Sequence, residues 1–429
     1  MFGFANFLLL ALFAAAVFDL IFALARGGGL RGALHGLWNT PHLLFGQQLA
    51  EWRLQLGRIL FAAGLAAYEI SVVFCNSMAR QNWAWVQGVM SPVLEWLAFL
   101  CFGAKILFGT RYTWRELLAG GALYFIARWV YFNSQNIWWI GIVVAVLAAK
   151  DVPLRRPLQV YFASGCAAMA VVLALHFAGI VAPDLTSERM GALRGTYGYG
   201  HPNTFGGLVF GLVLAYALLR AQKVRWVDCL LVFAVGVFLL VGPASRSAAL
   251  CTLALAVGLV FCRLRAGHSV PRWWPGTCAG MVGLTAAVSY LLPLLVIKVG
   301  PWNNDIGPAW LAKLDSLLTC RISLTWMAYR LLAVKIAGQV FNWPTVDNSF
   351  AFALFQFGPV VAALLGILFA AALWGHAKQG RRVEVCCLFA MLAYAYMEVQ
   401  PFHLTTNPTA LLLCGAVFAQ TSARWQKIE

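Results

Sequence analysis

The chain is predicted to be an all-α polytopic integral membrane protein of about 12–14 transmembrane helices, with one long external loop containing helix. Three observations carry this. Of 429 residues, 62% are apolar, 14% aromatic and only 11% charged, whereas a soluble globular chain is nearer half apolar and a quarter charged. Mean hydropathy is +0.78. Long apolar runs follow one another from end to end, as membrane-crossing helices do. Soluble enzymes and DNA-binding modules are excluded. The charge of +16 does not indicate nucleic acid either, because Lys and Arg sit mainly in short loops between spans.

Candidate spans fall near residues 3–25, 59–75, 92–110, 117–133, 136–149, 158–182, 203–219, 226–242, 247–262, 274–297, 348–375, 383–399 and 404–420. The first apolar stretch has no basic residue before it, so it reads as a membrane helix rather than a cleaved signal peptide. Residues 27–48 read as neither span nor loop. No repeat, low-complexity tract or separate soluble domain divides residues 1–429. The eleven cysteines lie almost all inside apolar runs, without a CxxC or a Cys/His cluster, and read as small buried hydrophobes. Asp19, Glu69, Glu95 and Arg128 lie in or beside spans, where a charge marks either function or a helix-locking pair.

Loop charge sets the orientation. Arg26, Arg31, Arg53 and Arg58, then Lys105, Arg111 and Arg115, then Lys150, Arg155 and Arg156 fall on alternate connections. So do Arg220, Lys223 and Arg225, then Arg263, Arg265 and Arg272, then Lys378, Arg381 and Arg382, then Arg424 and Lys427. These mark the cytoplasmic side. Five of the remaining cations (Lys298, Lys313, Arg321, Arg330 and Lys335) share the external connection 298–347. Long connections of this kind commonly carry function. Within it, 318–336 reads as one helix, on which Arg321 and Arg330 are about 180° apart at 100° per residue. Only one of the two then faces a site, and Arg321 is chosen. Trp302, Asn303, Asn304 and Asp305, with Trp310, either stack on sugars or form an interfacial aromatic belt.

Three helix starts share the external face. GALRGTYGYGHPNTFGG carries five glycines from Gly191 to Gly206 and places Pro202 in the first turn of a span. In VGPASRSAAL, Ser245 or Ser247 caps the next start beside Arg246, and in WPTVDNSFAFALFQFG a cap is supplied by Asp347, Asn348 or Ser349. Helix N-termini carry free N–H donors and partial positive charge. With Arg194, Arg246 and Arg321 they suit phosphate or diphosphate at the outer membrane surface; alternatively they are ordinary caps with arginines snorkelling to lipid.

Arg194 with GYGHPNTFG, the SRS of residues 245–247, Arg321 with Trp326, and VDNSF followed by Gly358 resemble, in this order over residues 185–375, the O-antigen ligase and Wzy-type polysaccharide polymerase superfamily. The closest likeness is to the oligosaccharide repeat-unit polymerases of capsule and exopolysaccharide synthesis; residues 1–150 match only in being hydrophobic. The resemblance implies a metal-independent glycosyltransferase without cofactor in the bacterial cytoplasmic (plasma) membrane, its active site on the external, periplasmic side. It implies an undecaprenyl-diphosphate-linked oligosaccharide as donor, a lipid-linked repeat unit as acceptor, and a chain-length regulator or flippase as partner. Arg194, Arg246 and Arg321 are expected to bind the diphosphate, whose charge grows as the C1–O bond breaks. Ligases of the superfamily place a His near the end of the large loop; the matching position here holds Asp347, so Asp347 and His201 are the candidate bases. Asn203, Ser245 and Asn348 are expected to orient substrate. A ligase using a different acceptor and a lipid-linked oligosaccharide flippase are the alternatives; the Asp at 347 favours a polymerase, and the lack of repeats with broken mid-membrane helices disfavours a transporter.

Overall fold

A computed structural model describes residues 2–25, 29–45, 50–181, 187–189, 192–296 and 307–418. Most of this is helix. In chain order the helices are α1 (Phe2–Ala25), α2 (Gly29–Asn39), α3 (Ala50–Cys75), the single turn α4 (Ala79–Asn82), α5 (Ser91–Phe108), α6 (Trp114–Ser134), α7 (Ile137–Ala148), α8 (Arg155–Phe177), α9 (Pro202–Leu219), α10 (Trp226–Val241) and α11 (Arg246–Leu264). There follow α12 (Trp274–Leu291), α13 (Ala309–Leu317), α14 (Arg321–Leu331), α15 (Ser349–Phe352), α16 (Pro359–Lys378), α17 (Arg382–Met397) and α18 (Cys414–Val417). Strand is confined, among the described residues, to two short antiparallel pairs: His42–Leu43 with Arg111–Tyr112, and Ser187–Arg189 with Ala192–Arg194.

Among the described residues, eight helical stretches are long and apolar enough to cross a membrane: Asn6–Ala25, Ala50–Cys75, Val86–Phe108, Arg155–Phe177, Pro202–Leu219, Arg246–Leu264, Trp274–Leu295 and Pro359–Lys378. The protein is thus an all-α, multi-pass membrane protein. Many large apolar side chains on these helices are exposed, such as Phe13, Ile21, Val257 and Ile367, as a lipid-facing surface requires.

Small residues set the packing, as is common between membrane helices. α3 lies along α5 and α8, α8 along α9, α9 against α11 and α17, and α12 along α16. Gly57 of α3 and Gly109 after α5 touch backbone to backbone, and a Cβ on Gly64 would run into the Phe102 ring. Two of the charges expected near spans have partners: Asp19 lies 3.5 Å from His42 and accepts the Phe45 N–H, while Arg128 donates to Asn6 at 2.8 Å.

Three expected elements differ. The segment 318–336 is not one helix. Thr319 and Cys320 are left-handed, with φ of 62° and 64°, and the buried Asp315 carboxylate accepts the Ile322 and Ser323 N–H groups that open α14. Beyond Leu331 the chain is non-helical up to Asn348. The segment 348–375 breaks at Gly358, whose φ of 87° only glycine adopts readily. The segment 404–420 is a 3-10 turn, Pro408–Leu413, followed by α18 rather than a long span. Residues 27–48, unassigned from sequence, include the short helix α2, which buries Ala33 and Leu37. Trp302, Asn303, Asn304 and Asp305, Arg26, Lys298, Arg424 and Lys427 lie outside the described residues.

Candidate functional site

The starts of α9, α11, α14 and α15 meet the end of α17. At the first start, Pro202 occupies the first helical position and extended His201 caps the helix, its Nδ1 accepting the Asn203 N–H at 3.1 Å. The next turns of α9 carry Gly206 and Gly207, where a Cβ would collide with the Ser245 and Gln400 side chains. Their bareness lets both segments close on α9. At the second start, Ala244 turns the chain at φ 49° and Ser245 donates its N–H to the Leu239 carbonyl. Arg246 then projects as an exposed side chain, while Ser247, one position on, faces inward. At α15, Asn348 caps the helix, its Oδ1 accepting the Phe350 and Ala351 N–H groups at 2.9 and 3.2 Å.

One carboxylate joins these elements, and sequence reasoning missed it. Glu398 follows directly on Met397, the last residue of α17, and is 5% exposed. Its Oε1 accepts three hydrogen bonds: from Arg321 Nη2 at 2.7 Å, Ser247 Oγ at 2.9 Å and Asn203 Nδ2 at 3.0 Å. Arg321 is also fixed through Nη1 to the Leu318 carbonyl at 2.7 Å and through Nε to the Met397 carbonyl. Asn203 Oδ1 in turn accepts from Arg194 Nη2 at 3.0 Å and at 3.5 Å from Ser245 Oγ, while Arg194 also reaches the Ala244 carbonyl. Ser349 Oγ donates to the backbone carbonyl of Glu398. Behind this, Gln400 donates to the Asn203 carbonyl and accepts from the Tyr394 hydroxyl.

Burial pushes the Glu398 carboxyl up to about 7; Arg321 opposes the shift, and the negative charge of half-buried Asp347 adds to it. Two guanidiniums thus gather around the Glu398 carboxylate, within the influence of Asp347, where the N-termini of α9 and α11 add partial positive charge. The site can hold a charged oxygen acceptor and, through Glu398, exchange a proton near neutral pH.

Of the residues singled out from sequence, Arg194, Asn203, Ser245 and Arg321 belong to this network. Asp347 lies close enough to influence Glu398, and Asn348 serves as a cap. His201 is an exposed cap, and Arg246 lies at the α11 start with its side chain outward. Arg321 is buried while Arg330 is exposed over the Trp326 ring at 5.6 Å, so the two loop arginines face opposite ways although their helix is shorter than expected. The signal that could have found Glu398 is a carboxylate at the C-terminal end of the apolar run 383–399, next to a proline-containing turn.

Set against models of known protein families, curated proteins and solved structures, the chain matches none of them.

Proposed function

We propose that the protein is a polysaccharide polymerase of the bacterial plasma membrane, transferring a growing glycan from its undecaprenyl diphosphate to a lipid-linked repeat unit at the external face. The observation that carries this reading is the convergence on Glu398 of residues from the separate motifs that resemble the ligase and polymerase superfamily: Arg194 and Asn203, Ser245 and Ser247, and Arg321. This reading counts α6, α7, α10 and α17 as crossings beside the eight long apolar stretches and takes the basic loops as cytoplasmic, which together make Glu398 external.

In this reading the acceptor hydroxyl attacks C1 of the donor sugar and gives its proton to Asp347, while the C1–O bond breaks and its electrons pass to the diphosphate. Arg321 and Arg194, with the α9 and α11 N-termini, stabilise that charge. Glu398 is a positioning residue: its Oε1 sits where three donors meet, a place a phosphoryl oxygen takes when Glu398 binds a proton and withdraws. Arg246, exposed at the rim, receives the diphosphate first. The apolar cavity beside Ser349, lined by Tyr290, Phe350, Met391 and Phe402, offers the polyprenyl chain a wall.

Purified protein in liposomes with a polyprenyl-diphosphate repeat unit is expected to form glycan ladders and release polyprenyl diphosphate. Normal ladders from an Arg321→Ala variant sink the assignment. A single transfer to a different acceptor identifies a ligase, and translocation without new glycosidic bonds identifies a flippase.

A further inference from the structure

The opposite ends of the same helices hold a second concave site. α9 and α11 have 18 and 19 residues, so at 1.5 Å per residue their far ends lie roughly 27 Å from Glu398. There the α9–α10 turn, the end of α11 and the α16–α17 turn enclose a cavity of about 600 Å³. Its walls carry Lys223, Arg225, Arg263, Arg381 and Arg382 against one carboxylate, Glu384. A second cavity of about 160 Å³ shares Lys223, Arg381 and Glu384 with the first and adds Arg155, Arg220 and His376.

Basic loops at one membrane face are ordinary, but these cations differ in three respects. They line a recess rather than a convex loop. Most are not neutralised: Arg220 pairs with Asp228 at 3.2 Å and Arg382 is spent on the carbonyls of Arg265, His268 and Ser269, whereas among the described residues no carboxylate lies within ion-pair distance of Lys223, Arg225, Arg263 or Arg381. Lastly, His376 Nδ1 is buried in the wall without a hydrogen-bond partner among the described residues, although a buried polar atom ordinarily has one. The remaining lining includes Val224, Cys262, Ala266 and Val383, so the recess is basic within and apolar at its sides, as a pocket for a lipid headgroup between membrane helices is.

We infer that this recess binds a phosphate-bearing anion, the headgroup of an anionic phospholipid being the source that its place at the helix ends favours. The site is separate from the Glu398 cluster and does not depend on the polymerase reading. Arg263 and Arg381 straddle the phosphate, Lys223 closes over it, and His376 supplies a further donor in the deeper cavity.

The test uses the full chain, delipidated in a neutral detergent and titrated with phosphatidylglycerol, phosphatidylcholine or inorganic pyrophosphate under native mass spectrometry. Phosphatidylglycerol is expected to bind at least about tenfold more tightly than phosphatidylcholine, and the Lys223→Gln/Arg263→Gln/Arg381→Gln variant to lose that preference. Arg31→Gln/Arg58→Gln, two exposed cations elsewhere, is expected to keep it. Pyrophosphate binding abolished by the same triple change, with no lipid preference, supports the anion site and assigns a soluble source. Equal retention by the triple variant and the Arg31/Arg58 control, or no preference for any phosphate anion over phosphatidylcholine, overturns the inference. Circular dichroism melting of each variant separates loss of binding from loss of fold.

Discussion

Two of the buried-charge clusters among the described residues are built differently. In the N-terminal half, fully buried Lys105 donates to Thr110 at 2.6 Å and to the Lys150 carbonyl; Lys150 donates to the Arg111 carbonyl at 2.6 Å and lies 3.4 and 3.5 Å from Glu116 and Asp151. Glu116 closes a capping box with Thr113, and Asp151 accepts the Arg111 N–H. Every hydrogen-bond and ion-pair partner of Lys105 and Lys150 comes from residues 105–151, and these bonds tie turn to turn. The Glu398 cluster instead joins side chains from residue 194 to residue 398, gathered where helices begin. Buried charge alone therefore does not mark a site. What distinguishes one is convergence of distant helix starts on a carboxylate that titrates near neutrality.

Substitutions sharpen this contrast. The largest effect is expected from Arg321→Ala, which removes a charged donor from the site: ladder synthesis falls about 10²–10³-fold, the usual loss for one preorganised donor, measured as initial rate per folded molecule. The counterpart in the other cluster, Lys150→Met, leaves Glu116 and Asp151 uncompensated and costs about 3–5 kcal/mol of stability. It is expected to lower the thermal midpoint in detergent while the folded fraction keeps its rate. A Lys150→Met protein of normal stability but no activity breaks the comparison.

Glu398→Gln keeps the shape of the side chain and removes its titration. Because the folded carboxyl titrates above its ordinary 4.5, at about 7, the folded state holds that proton more tightly than the unfolded chain. Stability from this group is therefore present below pH 4.5 and declines as pH rises to about 7. The glutamine variant is expected to flatten that decline and erase an inflection near pH 7 in the rate, with a loss of roughly tenfold from weaker hold on Arg321. Pulse proteolysis and a pH–rate series read the two effects.

The smallest change is expected from His201→Ala, whose cap is worth about 1 kcal/mol. Its rate falls less than about threefold if His201 only orders the α9 start; loss by 10²-fold or more instead assigns it proton transfer.

Much of this arrangement was legible in the residues. HPN and DNS announce helix starts because a capping side chain and an N1 proline are local chemistry, and they appear at Pro202 and Asn348 as read. What escaped depends on distant partners. Thr319 and Cys320 adopt left-handed backbone without glycine, so no local signal marked the break before Arg321; Asp315, folded under the turn, holds it. At Arg246 the cation was visible but not its direction, since one step along a helix turns a side chain by about 100° and gives the inward place to Ser247. Glu398 was hidden among apolar neighbours, its worth set by three donors remote in sequence.

Gly338 and Gly358 both have positive φ, and each Cβ position is filled by the other segment: Gln356 carbonyl for Gly338, Ile336 carbonyl for Gly358. The strand of chain carrying Asp347 is consequently riveted, backbone to backbone, onto the hinge between α15 and α16. A methyl group at either glycine pries that rivet open and lets Asp347 drift from Glu398, so a lesion there mimics damage to the acid pair while every charged side chain stays intact.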